Sequence, residues 1–163
     1  MLPAAMMAAA PVTEQGQRIW ATAIAKHQTL DRAIVYRYIQ DFEPGFERNA
    51  LPHRIDILWE YASSSGMPSV EERQRMDAAE DAIAPSVGQD GAAVLVYVET
   101  GEGLRRWSFY VRSEGEFMQR LNGALSLASP LPIQLEASSD PDWSLHDQFL
   151  NGLEAPLQEV PSE

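Results

Sequence analysis

Between His53 and Ala137 the spacing of apolar residues switches repeatedly between a period of two and a period of about 3.6, in the order strand, helix, strand, strand, helix, strand. In HRIDILWEY, residues Ile55, Ile57, Trp59 and Tyr61 fall on one face and Arg54, Asp56, Leu58 and Glu60 on the other. Ser69 followed by Glu72 opens a helix as a capping box, in which each side chain bonds an otherwise orphaned amide. Met76, Ala79 and Ile83 form its inner stripe, and Pro85 is expected to end it. AAVLVYVET, residues 92–100, and LRRWSFYV, residues 104–111, read as strands. A second capping box, Ser113 with Glu116, begins a helix whose apolar face is Phe117, Leu121, Ala124 and Leu125. SPLP breaks that helix, and Ile133 to Ala137 is a short alternating strand.

This order is the split β-α-β-β-α-β pattern of ferredoxin-like α+β folds. Right-handed crossovers place both helices on one face of an antiparallel sheet. Upstream, Arg18 to Ala25 and Arg32 to Ile39 read as a hairpin that adds strands at an edge. Downstream, DPDWSLHDQFLNG reads as a helix packed on the outside, with Asp140 as N-cap, Pro141 in the first position and Gly152 closing the end. The expected organisation is a disordered Ala-rich leader over 1–16, one α+β domain over 17–153 and a disordered acidic tail over 154–163. The leader lacks the basic start and long apolar run of a secretory signal, and no run reaches the roughly 18 apolar residues of a membrane span.

Composition narrows the functions. The chain has no Cys, which removes disulfides, thiol catalysis and zinc-thiolate sites. Its net charge of -12 argues against nucleic acid, whose phosphates are held by Lys and Arg. It suits a soluble cytoplasmic protein, or one whose partner is basic. After Arg120 there are seven acidic residues and no Lys or Arg.

The most chemical stretch is VETGEGLRRWSFYV. A phosphate loop needs its amides at the start of a helix, whereas this glycine-containing turn lies between two strands and reads as a hairpin. Alternation puts Arg105, Trp107, Phe109 and Val111 toward the core, with Arg105 at the rim. Leu104, Arg106, Ser108 and Tyr110 then look out from the sheet face without those helices, joined by Tyr97 and Glu99 and by Arg54, Asp56 and Glu60. Arg54, Tyr97, Arg106 and Tyr110 are the candidate binding residues. Aromatics and Arg on an open sheet suit RNA stacking, but the neighbouring carboxylates oppose it. Partial cover of this face by the N-terminal hairpin, the C-terminal helix or a second subunit is the simpler expectation.

Nothing else forms a catalytic or metal constellation. His27, His53 and His146 lack HxH or HExxH spacing, and packing or surface roles are expected for each. Glu71 with Glu72 and Asp140 with Asp142 suit helix N-termini, while Glu80 and Asp81 point to different faces of their helix. Of Trp20, Trp59, Trp107 and Trp143, at least three should be well buried. No catalytic residue, cofactor or metal site is assigned.

GMP before the first helix, ED late in it, TGEGLRRWSFY across the hairpin, and DPDW with Phe149 downstream together resemble a bacterial family, domain-of-unknown-function family 695. The resemblance spans roughly Trp59 to Leu150, and His146 stands where the family usually has Tyr. It implies a ferredoxin-like α+β fold. It also implies an association with domains similar to the ribonuclease E regulator B type, acidic proteins that bind and inhibit an RNA-degrading enzyme. No catalytic residues transfer with it. The expected function is a non-enzymatic interaction or regulatory module with an acidic surface that inhibits a nuclease or toxin. The alternative is a small-ligand binder or enzyme with a pocket near Arg106 and Tyr110. A homodimer pairing through sheet faces or edges is compatible with either.

Overall fold

The computed structural model describes residues 18–26, 33–127 and 129–154. The expected leader, His27 and the tail beyond Glu154 lie outside the described residues. The elements in chain order are β1 (Ile19–Lys26), β2 (Ala33–Asp41), β3 (His53–Glu60), α1 (Val70–Val87), β4 (Ala93–Gly101), β5 (Leu104–Val111), α2 (Glu114–Ala124), β6 (Ile133–Ser139) and α3 (Ser144–Glu154). Six strands form one sheet in the order β1-β2-β4-β5-β3-β6, with every pair antiparallel. The four strands β4-β5-β3-β6 are the ferredoxin-like unit, and the N-terminal hairpin extends it at the β4 edge.

One face of the sheet is closed by α1 and α2. Ile55, Ile57 and Trp59 of β3 and Trp107, Phe109 and Val111 of β5 meet Met76, Ala79 and Ile83 of α1 and Phe117 and Leu121 of α2. Burying each large apolar side chain of this kind contributes roughly 1.5–3 kcal/mol. Trp59 and Trp107 sit edge to face at 6.2 Å, a favoured aromatic geometry. Their ring N–H groups, which cannot be left unbonded in a core, donate to Glu72 at 2.7 Å and Glu80 at 2.9 Å on α1.

These bonds modify the expected capping boxes. The Ser69 and Ser113 hydroxyls accept from the amides of Glu72 and Glu116. The reciprocal carboxylates go elsewhere, Glu72 to Trp59 and Glu116 to Arg112. Pro85 does not end α1, which continues to Val87. Proline removes only one amide near the helix end, and the buried Val87 holds the last turn on the core.

The opposite face is covered by α3 and the segment that follows β2. Ile39, Leu51, Val94, Val96, Tyr97, Tyr110 and Trp143 form this second core, flanked by Tyr38, Phe42, Phe46 and Phe149. One irregularity in β4 lets the strand serve both cores. Leu95 faces Phe109 across the ladder, and Tyr97 faces the next residue, Ser108, so Val96 is an extra residue on its strand. Ala93 and Leu95 before the bulge, and Val98 after it, pack toward α1 and α2. Val94, Val96 and Tyr97 pack toward α3.

The hairpin joins at Gly101. A Cβ there would lie 2.8 Å from the Ala33 carbonyl oxygen and 2.9 Å from the Ile34 Cα, so glycine is what permits β2 to approach. Three of the four tryptophans are buried as expected, and Trp20, on the edge strand β1, is 40% exposed.

Candidate functional site

The strands place a polar row on the α3 side of the sheet. Alternation in β3 and β5 puts Arg54 and Asp56 beside Arg106, Ser108 and Tyr110, with Asp56 directly opposite Ser108 and Arg54 opposite Tyr110. The β4 bulge brings Tyr97 and Glu99 into the same row, opposite Ser108 and Arg106. On the other side of β3, Glu136 of β6 lies opposite Asp56.

Asp56 is the hub. Its carboxylate accepts two hydrogen bonds from Arg54 at 3.1 and 3.2 Å, one from Arg106 at 2.7 Å and one from the Ser108 hydroxyl at 2.8 Å. Arg54 also donates to the Tyr97 hydroxyl at 2.9 Å, and its guanidinium lies 5.7 Å from the Tyr97 ring centre. Arg106 extends the network to Glu99 at 3.5 Å and Glu136 at 3.7 Å.

The electrostatics follow from this pairing. Burial alone would lower the Arg54 pKa, but the bonds and charge of Asp56 hold it above its ordinary value. Burial pushes the Glu99 carboxyl up, against the partial opposition of Arg106. Burial and the Glu99 charge push the Tyr36 phenol up to about 12. Burial raises Tyr97 and Tyr110 as well, so both are neutral phenols at physiological pH.

A second polar link fastens α3 over the row. The Tyr110 hydroxyl donates to Asp140 at 2.6 Å, and Asp140 accepts from the amides of Ser144 and Leu145 at 2.9 and 3.0 Å. Burial alone would raise the Asp140 pKa, but these three donors outweigh it and hold the carboxyl below its usual range. The expected cap is therefore present but displaced. Asp140 caps from before a turn, Pro141 precedes the helix and Gly152 lies inside it. The turn ends at Trp143, whose φ of 58° is left-handed and strained for an aromatic residue. The conformation is held by its surroundings. The ring stacks on Tyr110 at 4.0 Å, its N–H donates to the Arg48 and Leu51 carbonyls at 2.9 and 3.0 Å, and Arg48 lies over it at 5.1 Å.

From Trp143 on β5, α3 runs across β4 to β2. Phe149 stacks on Tyr97 at 4.0 Å and meets Tyr36 and Tyr38 edge-on at 5.4 and 5.9 Å. Between them His146 is fully buried among Trp143, Tyr110, Phe42 and Phe149, and neither ring nitrogen has a hydrogen-bond partner. Burial, aided by the Arg48 charge, pushes its pKa down to about 4.

The four sequence candidates are thus neighbours. Tyr110 is fully buried beneath Trp143 rather than facing outward, Tyr97 is buried beneath Phe149, and the Arg54 side chain is 11% exposed. Arg106, at 25%, is the member of the four that reaches solvent. Glu60, expected on the same face, is exposed and lies opposite Leu104 at the end of the strand pair. Ser108 was on the expected face without a role, and its bond to Asp56 follows from strand pairing that periodicity alone does not supply. The row holds no nucleophile beside an unengaged base. Among the described residues no group of His, Asp and Glu is arranged to hold a metal ion, and no helix is long and apolar enough to cross a membrane.

An antiparallel ferredoxin-like sheet with two helices on one face, an internally ion-paired polar row on the other and a helix clamped over that row defines an α+β domain. The chain belongs to the Family of unknown function (DUF695), whose model matches residues 20–151. No curated protein is significantly similar to it.

Proposed function

We propose that the protein is a non-enzymatic cytosolic interaction module that binds a basic protein surface through its carboxylates, and that its partner is a nuclease or toxin held inactive in the complex. The observation that carries this reading is the charge balance. The chain has a net charge of -12. Arg18, Arg37, Arg48, Arg54, Arg75, Arg105, Arg106, Arg112 and Arg120 are all engaged in ion pairs with carboxylates of the same chain. The excess negative charge is displayed at exposed residues such as Asp41, Glu47, Glu60, Glu71, Asp81 and Asp142. A surface of one sign steers partners of the other and gives a strongly salt-dependent association. The self-satisfied polar row, and the association with acidic regulators of an RNA-degrading enzyme that the family resemblance implies, favour the same reading.

The test is capture from host extract on the immobilised protein, followed by binding measurements with the purified captured protein. Affinity is expected to fall as salt rises and to fall further with Glu71→Lys and Asp81→Lys. A complex indifferent to salt and to both reversals sinks the proposal. The second reading, a small ligand at the solvent end of the row, draws on the partial exposure of Arg106 between Glu99 and Glu136. A thermal-shift screen against metabolites tests it, since a ligand specific to the folded state raises Tm.

A further inference from the structure

Among the described residues, no strand pairs with the outer edge of β1. Within β1, residues 19–25, IWATAIA, contain no charge, proline or glycine, the usual devices that keep an edge strand from pairing, and the strand's one charged residue is Lys26 at its end. Ile19, Trp20 and Ile24 are 51%, 40% and 60% exposed. In sequence, residues 18–41 include four basic residues, Arg18, Lys26, Arg32 and Arg37, and two acidic ones, Asp31 and Asp41. Their net charge is +2, so the remainder of the chain carries -14 of the total -12. Two copies pairing along β1 keep the excess carboxylates of the rest of the chain away from the contact.

The strand is also self-complementary. Arg37 bonds Glu80 of α1 and lies over the Trp20 ring, so Trp20 is on the α1 side of the sheet, and alternation puts Thr22 and Ile24 beside it. Ala21 and Ala23 fall on the α3 side, where Tyr36, the partner of Ala23, meets Phe149. An antiparallel pairing centred on Thr22 sets Trp20 opposite the partner copy's position 24 and Ile24 opposite its position 20. It sets threonine opposite threonine, and small alanines opposite each other on the other face. Aromatic with β-branched, and threonine with threonine, are the favourable cross-strand pairs. The strand at the opposite end of the sheet, β6, does not offer this. Glu136 lies at its centre, so a symmetric pairing there opposes carboxylates.

We propose that the protein forms a twofold-symmetric homodimer in which the two β1 strands pair antiparallel about Thr22, joining two six-stranded sheets into one of twelve. The interface is isologous, as a closed dimer requires. Because each copy carries -12, dimerisation strengthens as salt rises, the opposite of the salt response proposed for a basic partner, so the two proposals fail separately.

Sedimentation of the full chain over micromolar to sub-millimolar concentrations is expected to show twice the monomer mass of 18.1 kDa. Ile24→Lys and Thr22→Arg, both at exposed positions, are each expected to weaken association by about tenfold or more with the circular dichroism unchanged. Mixing Ile24→Lys with Trp20→Glu is expected to restore a heterodimer, because the antiparallel register sets the new lysine against the new glutamate. A wild-type chain that stays monomeric overturns the proposal and leaves the edge to a strand of a different protein. A dimer that survives both Ile24→Lys and Thr22→Arg, or a mixture that fails to pair, overturns it too.

Discussion

Tyr110 and Trp143 lie face to face with ring centres 4.0 Å apart and planes 12° from parallel, and the Tyr110 hydroxyl bonds Asp140, three residues before that tryptophan. One strand residue thus holds the turn that launches α3 by both its ring and its hydroxyl. Tyr110→Phe keeps the ring and removes the donor to a carboxylate, and is expected to cost about 1.5–3 kcal/mol in urea unfolding. Trp143→Ala removes the stack and both carbonyl bonds, and is expected to cost about 3–5 kcal/mol.

Asp56 is the shared counter-ion of two arginines. Asp56→Ala leaves Arg54, almost wholly buried, without its carboxylate, and is expected to destabilise the fold by about 3–5 kcal/mol. Adding Arg54→Met to that variant is expected to recover part of the loss, since the uncompensated buried charge is gone. A double-mutant cycle by chemical denaturation measures this coupling.

His146 gives the stability a defined acid limb. Above its ordinary value of 6.5 the imidazole is neutral in the folded and unfolded chains alike, and pH has no effect through it. Between 6.5 and about 4 the unfolded chain takes up a proton that the buried ring refuses, so stability falls as pH falls. The slope approaches about 1.4 kcal/mol per pH unit and levels off once the folded ring also protonates. Denaturation midpoints at pH 7, 6 and 5 should therefore drop for the wild type and stay nearly level for His146→Phe. Asp140, held below its usual carboxylate range, adds its own loss only at more acid pH.

Gly101→Ala tests how the hairpin is attached. The new Cβ meets backbone atoms of β2 at 2.8 and 2.9 Å, which no side-chain rotation relieves. A loss of about 2 kcal/mol or more is expected, with amide exchange accelerated first in β1 and β2.

Much of the α1/α2 half of the molecule was readable from the sequence, because HRIDILWEY and LRRWSFYV each alternate well enough to sort their side chains onto two faces. Those patterns also placed Arg54, Asp56, Arg106, Ser108 and Tyr110 on one face. Three features were not readable. The bonds that converge on Asp56 depend on the register between strands distant in sequence. The cover by α3 depends on a left-handed Trp143, and DPDW carries no glycine to signal that turn. Pro85 and Gly152 look like stops, but tertiary burial of Val87 and placement within α3 override them.

The extra residue in β4 has a consequence for folding fidelity. In a regular strand a slip by two residues preserves inside and outside, so a misaligned sheet can still bury its apolar side chains. Here the two halves of β4 are out of phase, and any slip against β5 moves the phase change away from its matching point. Part of the strand then turns its valines to the wrong layer. Val96 therefore acts as an alignment key, making the native pairing of the central strands the one arrangement in which both cores close at once.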